Sequence, residues 1–203
     1  MKGIYVVRVD VLDNSIEKDF NRWYSFVHLP DLMKIPELIV ARRFYSKISS
    51  PKYLSLYEFP DKETLIKGKD SEEMAYAKSD TKKRWTGKIS NGERYYALVK
   101  EKLFHDVSFD KGKVLFLSVS TEQSERISNL IDEFKEKFKI EGCLKLETIN
   151  KEPLSLPDVI FLCTSRLEED HKILEFFSKE TEYLGIYNPL ISYYKVLHSS
   201  DLY

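Results

Sequence analysis

Glycine is scarce: the chain has 7 in 203 residues, where ordinary usage of roughly 7 % would give about 14. Phosphate-cradling loops depend on glycine-rich turns. No G-x-G-x-x-G occurs, and the stretch from Gly87 to Gly92 lacks the Lys-Ser/Thr step of a P-loop. Nucleotide chemistry of those kinds is excluded. There are only two cysteines, Cys143 and Cys163, without C-x-x-C spacing, and four histidines spread along the chain with no H-E-x-x-H, so no metal site is expected. A serine nucleophile elbow is missing too. One-signed charge is absent: 32 basic residues face 33 acidic ones, for a net charge of −1. Such a chain projects no global field toward nucleic acid or an anionic membrane. Its longest basic cluster, Lys82-Lys83-Arg84, reads as a solvated helix end. No apolar run approaches the roughly 18 residues of a membrane-spanning helix. The segment Met1–Arg8 meets a charge too soon for a signal-peptide core. A cytoplasmic protein is expected, with both cysteines as reduced, packed thiols. The two do flank Pro153 symmetrically, so a hairpin there would bring them face to face.

Aromatic residues, in contrast, are abundant: 12 Phe, 13 Tyr and 2 Trp. They sit in alternating strand-like and helix-like periods. Residues 3–11 read as a strand. Asn14 and Glu17 resemble a capping box, after which Ile16, Phe20, Trp23, Tyr24 and Val27 form one helical stripe. Pro30 is expected to end that helix near Val27 or His28. Strands follow at 37–47 and 52–59. A helical stretch capped by Asp61, interrupted at Gly68 and restarted at Ser71, runs to Trp85. A strand at 93–103 completes a β-α-β-β-α-β order. The second half repeats it: strand 112–120, a helix capped by Thr121, strands 142–149 and 158–165, a helix over 167–184 ending at Gly185, and a last strand at 190–198.

This order is the ferredoxin-like unit, a four-stranded sheet with two helices on one face. Two units in one chain can cover each other sheet against sheet. The expected class is therefore α+β, with one unit over residues 1–105 and the other over 111–203, joined by a short polar linker. Either a monomeric pseudo-dimer or a homodimer is compatible with that plan.

Such a tandem resembles the dimeric α/β-barrel superfamily in a fused form. The first half is similar to its EthD-like branch, through Phe20-Asn21-Arg22-Trp23-Tyr24, His28-Leu29-Pro30-Asp31-Leu32, Ile35-Pro36, Ala41-Arg42-Arg43-Phe44 and the segment from Tyr53 to Asp61. The second half has Phe138-Lys139-Ile140-Glu141-Gly142 where the first has its histidine motif, so a structural role is expected for it. The resemblance implies a pocket between sheet and helices near the end of the first helix. Members of the superfamily oxidise quinone-like substrates without a cofactor, degrade haem, or dehydrate or cyclise small molecules. A shared fold carries little function by itself.

His28 is the sharpest candidate, as a general acid or base; a helix-capping histidine is the bland alternative. Arg8, Arg42 and Arg43 lie inside strands, where a buried charge needs a partner. Arg42 and Arg43 must point to opposite faces. Each suits an ion pair, an exposed position or an anionic ligand group. Trp23, Tyr24, Tyr57 and Trp85 are candidate walls for a flat ligand, although aromatics at this spacing serve equally as core. The expected activity is handling of a small, partly aromatic molecule, as a cofactor-independent oxygenase, cyclase or isomerase using His28. The alternative is a non-enzymatic ligand-binding or assembly module. No cofactor is expected, and no nucleic-acid or membrane partner.

Overall fold

The computed structural model describes residues 1–90, 92–105, 107–181 and 183–195. The strands are β1 (Gly3–Val9), β2 (Val40–Tyr45), β3 (Tyr53–Phe59), β4 (Glu93–Lys102), β5 (Lys113–Val119), β6 (Ile140–Glu152), β7 (Val159–Ser165) and β8 (Tyr183–Tyr194). The helices are α1 (Glu17–Trp23), α2 (Leu29–Leu32), α3 (Lys62–Lys69), α4 (Glu72–Trp85), α5 (Ser124–Phe134) and α6 (Asp170–Phe177). All strand pairs are antiparallel and close into one barrel, in the order β1-β3-β2-β8-β5-β7-β6-β4. The first four strands run β4-β1-β3-β2 and the last four β8-β5-β7-β6, the same order twice. The halves therefore do more than stack face to face: β2 pairs with β8 and β4 with β6, so no sheet edge is left open.

Strand alternation sorts side chains into three cores. Ile4, Val6, Leu54, Leu56, Tyr95, Phe116, Leu144 and Ile160 fill the barrel interior. Tyr5, Val7 and Val9 face outward, under α1 to α4. Leu115, Leu117 and Phe161 face outward on the other side, under α5 and α6. The expected linker contributes to the interior, where Phe109 is buried.

Several expectations are corrected. Asp13, not Asn14, caps the first helical segment, accepting from the Ser15 N–H at 2.8 Å. Thr121 does not cap α5, which begins at Ser124. Leu184 and Gly185 belong to β8, and the helix before them stops at Phe177. Gly185 is needed there because the Tyr187 ring lies against it: an added Cβ would stand 2.6 Å from that ring. The expected strand 190–198 extends past residue 195, outside the described residues. Cys143 and Cys163 are directly opposite on β6 and β7 and joined by a disulfide, both fully buried. Opposed residues of an antiparallel pair bring their Cβ atoms together, which overrides the reading as reduced thiols. Among the described residues, no helix is long and apolar enough to cross a membrane.

Gly68 behaves as sequence suggests, breaking the helical stretch into α3 and α4, each properly capped: Asp61 with Thr64 in a capping box, and Ser71 accepting from the Met74 N–H. Its lack of a side chain also lets α3 press on the sheet. A Cβ at Gly68 would meet the Phe59 ring at 2.5 Å and Ile35 at 3.3 Å. Gly68→Ala should therefore lower stability by about 1–3 kcal/mol, although alanine favours helix by about 1 kcal/mol. The urea midpoint should fall at constant m-value. An unchanged or higher midpoint would show that α3 is free to shift.

Candidate active site

The path from α1 to α2 sets the site. After Trp23 the backbone stays helical but widens into a π turn over Tyr24–His28, in which the Leu29 N–H donates to the Tyr24 carbonyl, five residues back. In that register the donor for the Ser25 carbonyl would be residue 30, a proline with no N–H. The Tyr193 hydroxyl on β8 donates there instead, at 2.8 Å. The helical path continues to Leu32, so Pro30 does not end it at Val27 or His28. The wider turn also changes side-chain phase. Val27, on the apolar stripe by 3.6-residue spacing, is exposed, while His28 is drawn inward beside Tyr24 and Trp23, with ring centroids 4.7 and 4.8 Å apart.

His28 lines a cavity of about 480 Å³ between the outer face of the first four strands and the helices. That size suits a small organic ligand. Tyr5, Val7, Val9 and Tyr57 provide the strand side, Phe20 and Tyr24 one wall, and Met74, Ala77 and Trp85 of α4 the other. The Tyr24 and Tyr57 hydroxyls are 2.9 Å apart. Tyr5 stacks between Tyr57 and Tyr96, at 5.3 and 4.3 Å. Burial pushes the Tyr5 and Tyr57 phenols well above their usual range. Both stay protonated and can orient a polar group without acting as bases. Burial, aided by the Arg43 guanidinium, lowers the His28 imidazole to about 4. It is neutral near pH 7. Among the described residues, no side chain or backbone group hydrogen-bonds to its ring.

The structure brings His28, Tyr24, Tyr57 and Trp85 to one cavity. Trp23 stands behind His28, its indole N–H donating to Asp80 of α4 at 3.1 Å. Arg43 lies under Tyr24, with its guanidinium carbon 4.4 Å from the Tyr24 and Tyr53 ring centroids. It donates to Asn21 Oδ1 at 2.7 Å and to Ser25 Oγ at 3.3 Å. Arg8 and Arg42 are elsewhere, inside the barrel. Arg8 donates to Glu93 at 2.7 Å and Tyr187 at 2.9 Å. Arg42 pairs with Glu58 and, at 3.0 Å, with Asp110. Sequence reasoning passed over Tyr5, Lys78, Lys82 and Arg94, which also line the cavity. Tyr5 was legible from its alternation with Val7 and Val9; the cations look like any solvated surface. On the other side of the barrel the outer face is filled by phenylalanines: Phe134, Phe138, Phe176 and Phe177 pack at 4.6 to 6.0 Å.

No family model matches the sequence, and no curated protein matches it. Solved structures do. An anthrone oxidase-like protein superposes with a TM-score of 0.65 over 95% of this chain and 92% of its own, at 10% identity. A monooxygenase-like protein of Fusobacterium nucleatum subsp. nucleatum does so at 0.52, over 96% and 98%, at 8% identity. An EthD family protein of Bacillus halodurans matches at 0.38, over 44% of this chain and 93% of its own, at 17% identity. At these identities the likeness is one of fold. Strand order, barrel closure and the first two superpositions together give this chain the dimeric α/β-barrel fold, with both halves of the barrel in one chain.

Proposed function

We propose that the chain binds a flat, partly polar aromatic molecule in the His28 cavity and that His28 takes a proton from it, as a cofactor-independent oxygenase requires. One observation carries this reading: a neutral imidazole, with no hydrogen-bond partner among the described residues, lines an aromatic cavity. The His28-Leu29-Pro30 motif and the fold shared with an anthrone oxidase-like protein support it. In the reaction, a methylene between two aryl groups loses a proton to His28, and the carbanion reduces dioxygen. Overall the methylene becomes a carbonyl; one oxygen atom enters the product and the other leaves as water with both methylene hydrogens. The tyrosine hydroxyls would hold the substrate's own oxygen. The partner we assign is a small molecule, with neither nucleic acid nor membrane involved.

The test is dioxygen uptake on adding anthrone, naphthols and hydroxyquinones, with binding followed by tryptophan fluorescence. Uptake equimolar with an anthrone-type substrate is expected. No uptake and no binding across the panel would overturn the reading. Binding without uptake would favour a ligand-binding module, the second reading. That one is favoured by the lack, among the described residues, of any hydrogen-bonding group to orient the imidazole, since catalytic bases are usually held by a third residue.

A further inference from the structure

Charge is distributed unevenly around the cavity. Its lining holds Lys78 and Lys82 besides Arg94 and Glu152, which stand opposite each other on β4 and β6, in a chain whose basic and acidic residues nearly balance. The excess is local. Lys78 and Lys82 are one turn apart on α4, on the face that also presents Ala77 and Trp85 to the cavity. Among the described residues neither ammonium is in an ion pair. Like charges at this spacing repel slightly. The helix dipole accounts for Lys82, in the last turn of α4, but not for Lys78 a turn earlier. Two further features point the same way. Arg43 is buried under Tyr24 with no carboxylate in pairing distance among the described residues, and its positive charge acts on His28 in the cavity lining. Trp85, next to Lys82 across the turn, is 7% exposed and its indole N–H has no acceptor among the described residues. A cavity with an apolar floor, a cationic rim and an unused donor lacks one thing, a fixed negative charge on the ligand.

We propose that the ligand is an aromatic acid: its rings lie on Tyr5, Tyr57 and Trp85, and an ionised carboxylate, separate from the reacting carbon, sits at the rim between Lys78 and Lys82. The inference rests on the cavity being a ligand site, as proposed above, and adds the class of molecule it selects. Both lysines line the cavity and are exposed, with Lys78 Nζ 5.9 Å from the Tyr96 ring; long cationic stems can cover apolar surface while the ammonium stays in water. Such a pair sets selectivity more than raw affinity.

The probes are naphthoate and its neutral counterpart naphthamide, with binding read from tryptophan fluorescence on wild type, Lys78→Gln/Lys82→Gln and a Lys83→Gln control on the same helix but off the cavity wall. Wild type should bind naphthoate roughly tenfold more tightly than naphthamide. The double variant should bring the two within about twofold by weakening naphthoate alone, and added salt should do the same. The control should behave as wild type. Equal affinity for the two probes in wild type, or equal losses in the control, would overturn the acid selectivity while leaving the cavity a ligand site. Failure of both probes to bind any form would overturn the ligand site and the selectivity with it.

Discussion

His28→Ala should lower kcat/KM for an anthrone-type substrate by about 10²–10⁴-fold, the span a positioned general base supplies. Binding of the same molecule should survive, because the apolar walls that hold it are untouched. The pH dependence makes the prediction sharper. His28 accepts a proton only when neutral, and in the free protein it is neutral down to about pH 4. The kcat/KM profile should therefore stay level from pH 8 to about 5 and fall below that, whereas an ordinary histidine would give a fall near 6.5. A base this weak gains strength once a substrate anion forms beside it, since an opposite charge favours the imidazolium. Stability gives a second readout. The unfolded chain binds this proton near pH 6.5 and the folded chain only near 4. The contribution is thus complete above pH 6.5 and is lost as pH falls toward 4, a change on the order of 2–3 kcal/mol. His28→Ala should remove that part of the slope. A kcat/KM profile breaking at 6.5, or an alanine variant with undiminished turnover, would dismiss His28 as the base.

What sequence made legible is what short-range periodicity determines. Tyr5, Val7 and Val9 alternate with Ile4, Val6 and Arg8, and the structure puts the two sets on opposite faces of β1. Arg42 and Arg43 are likewise split, one inside the barrel and one under the helices. The ferredoxin-like order could be read twice because each unit is locally encoded. The barrel came from the family resemblance and not from the strand pattern, since β2–β8 and β4–β6 pairing depends on contacts between distant segments. The same distance hid the partners of the strand arginines: Tyr187 is 179 residues from Arg8, and Asp110 is 68 from Arg42. At the candidate site, a 3.6-residue count fails at the π turn, so it assigned Val27 to the apolar stripe and left His28 off it. In the second half, Leu174, Phe177, Thr181 and Leu184 keep a helical spacing, but β5 captures Leu184 into β8. Pairing with a neighbouring strand outweighs that local pattern.

Arg8→Ala should be the most destabilising single change inside the barrel, at about 3–5 kcal/mol. The side chain is 1% exposed and four of its five N–H donors are engaged. Nε donates to the Tyr187 hydroxyl, one terminal nitrogen to Glu93, and the other to the carbonyls of Leu184 at 3.0 Å and Ser50 at 3.2 Å. The guanidinium carbon also lies 4.4 Å above the Phe116 ring. These partners come from β3's preceding loop, β4, β5 and β8, so one residue of β1 ties both halves of the barrel together. Alanine leaves a cavity among those rings and takes the cation from Glu93, whose side chain is only 18% exposed and keeps only the Tyr95 hydroxyl, at 3.3 Å, among the described side chains. An unpaired carboxylate held that far from water is the larger part of the cost. Arg8→Met with Glu93→Gln separates the two contributions. Methionine restores volume and glutamine removes the stranded charge, so the double variant should recover more than half of the loss. The measurement is urea unfolding of wild type, the Arg8→Ala and Glu93→Gln single variants, and the double variant, with m-values held constant. If the Arg8→Ala midpoint shift corresponds to less than about 1 kcal/mol, the exposed-pair range, Arg8 is not the tie between the halves.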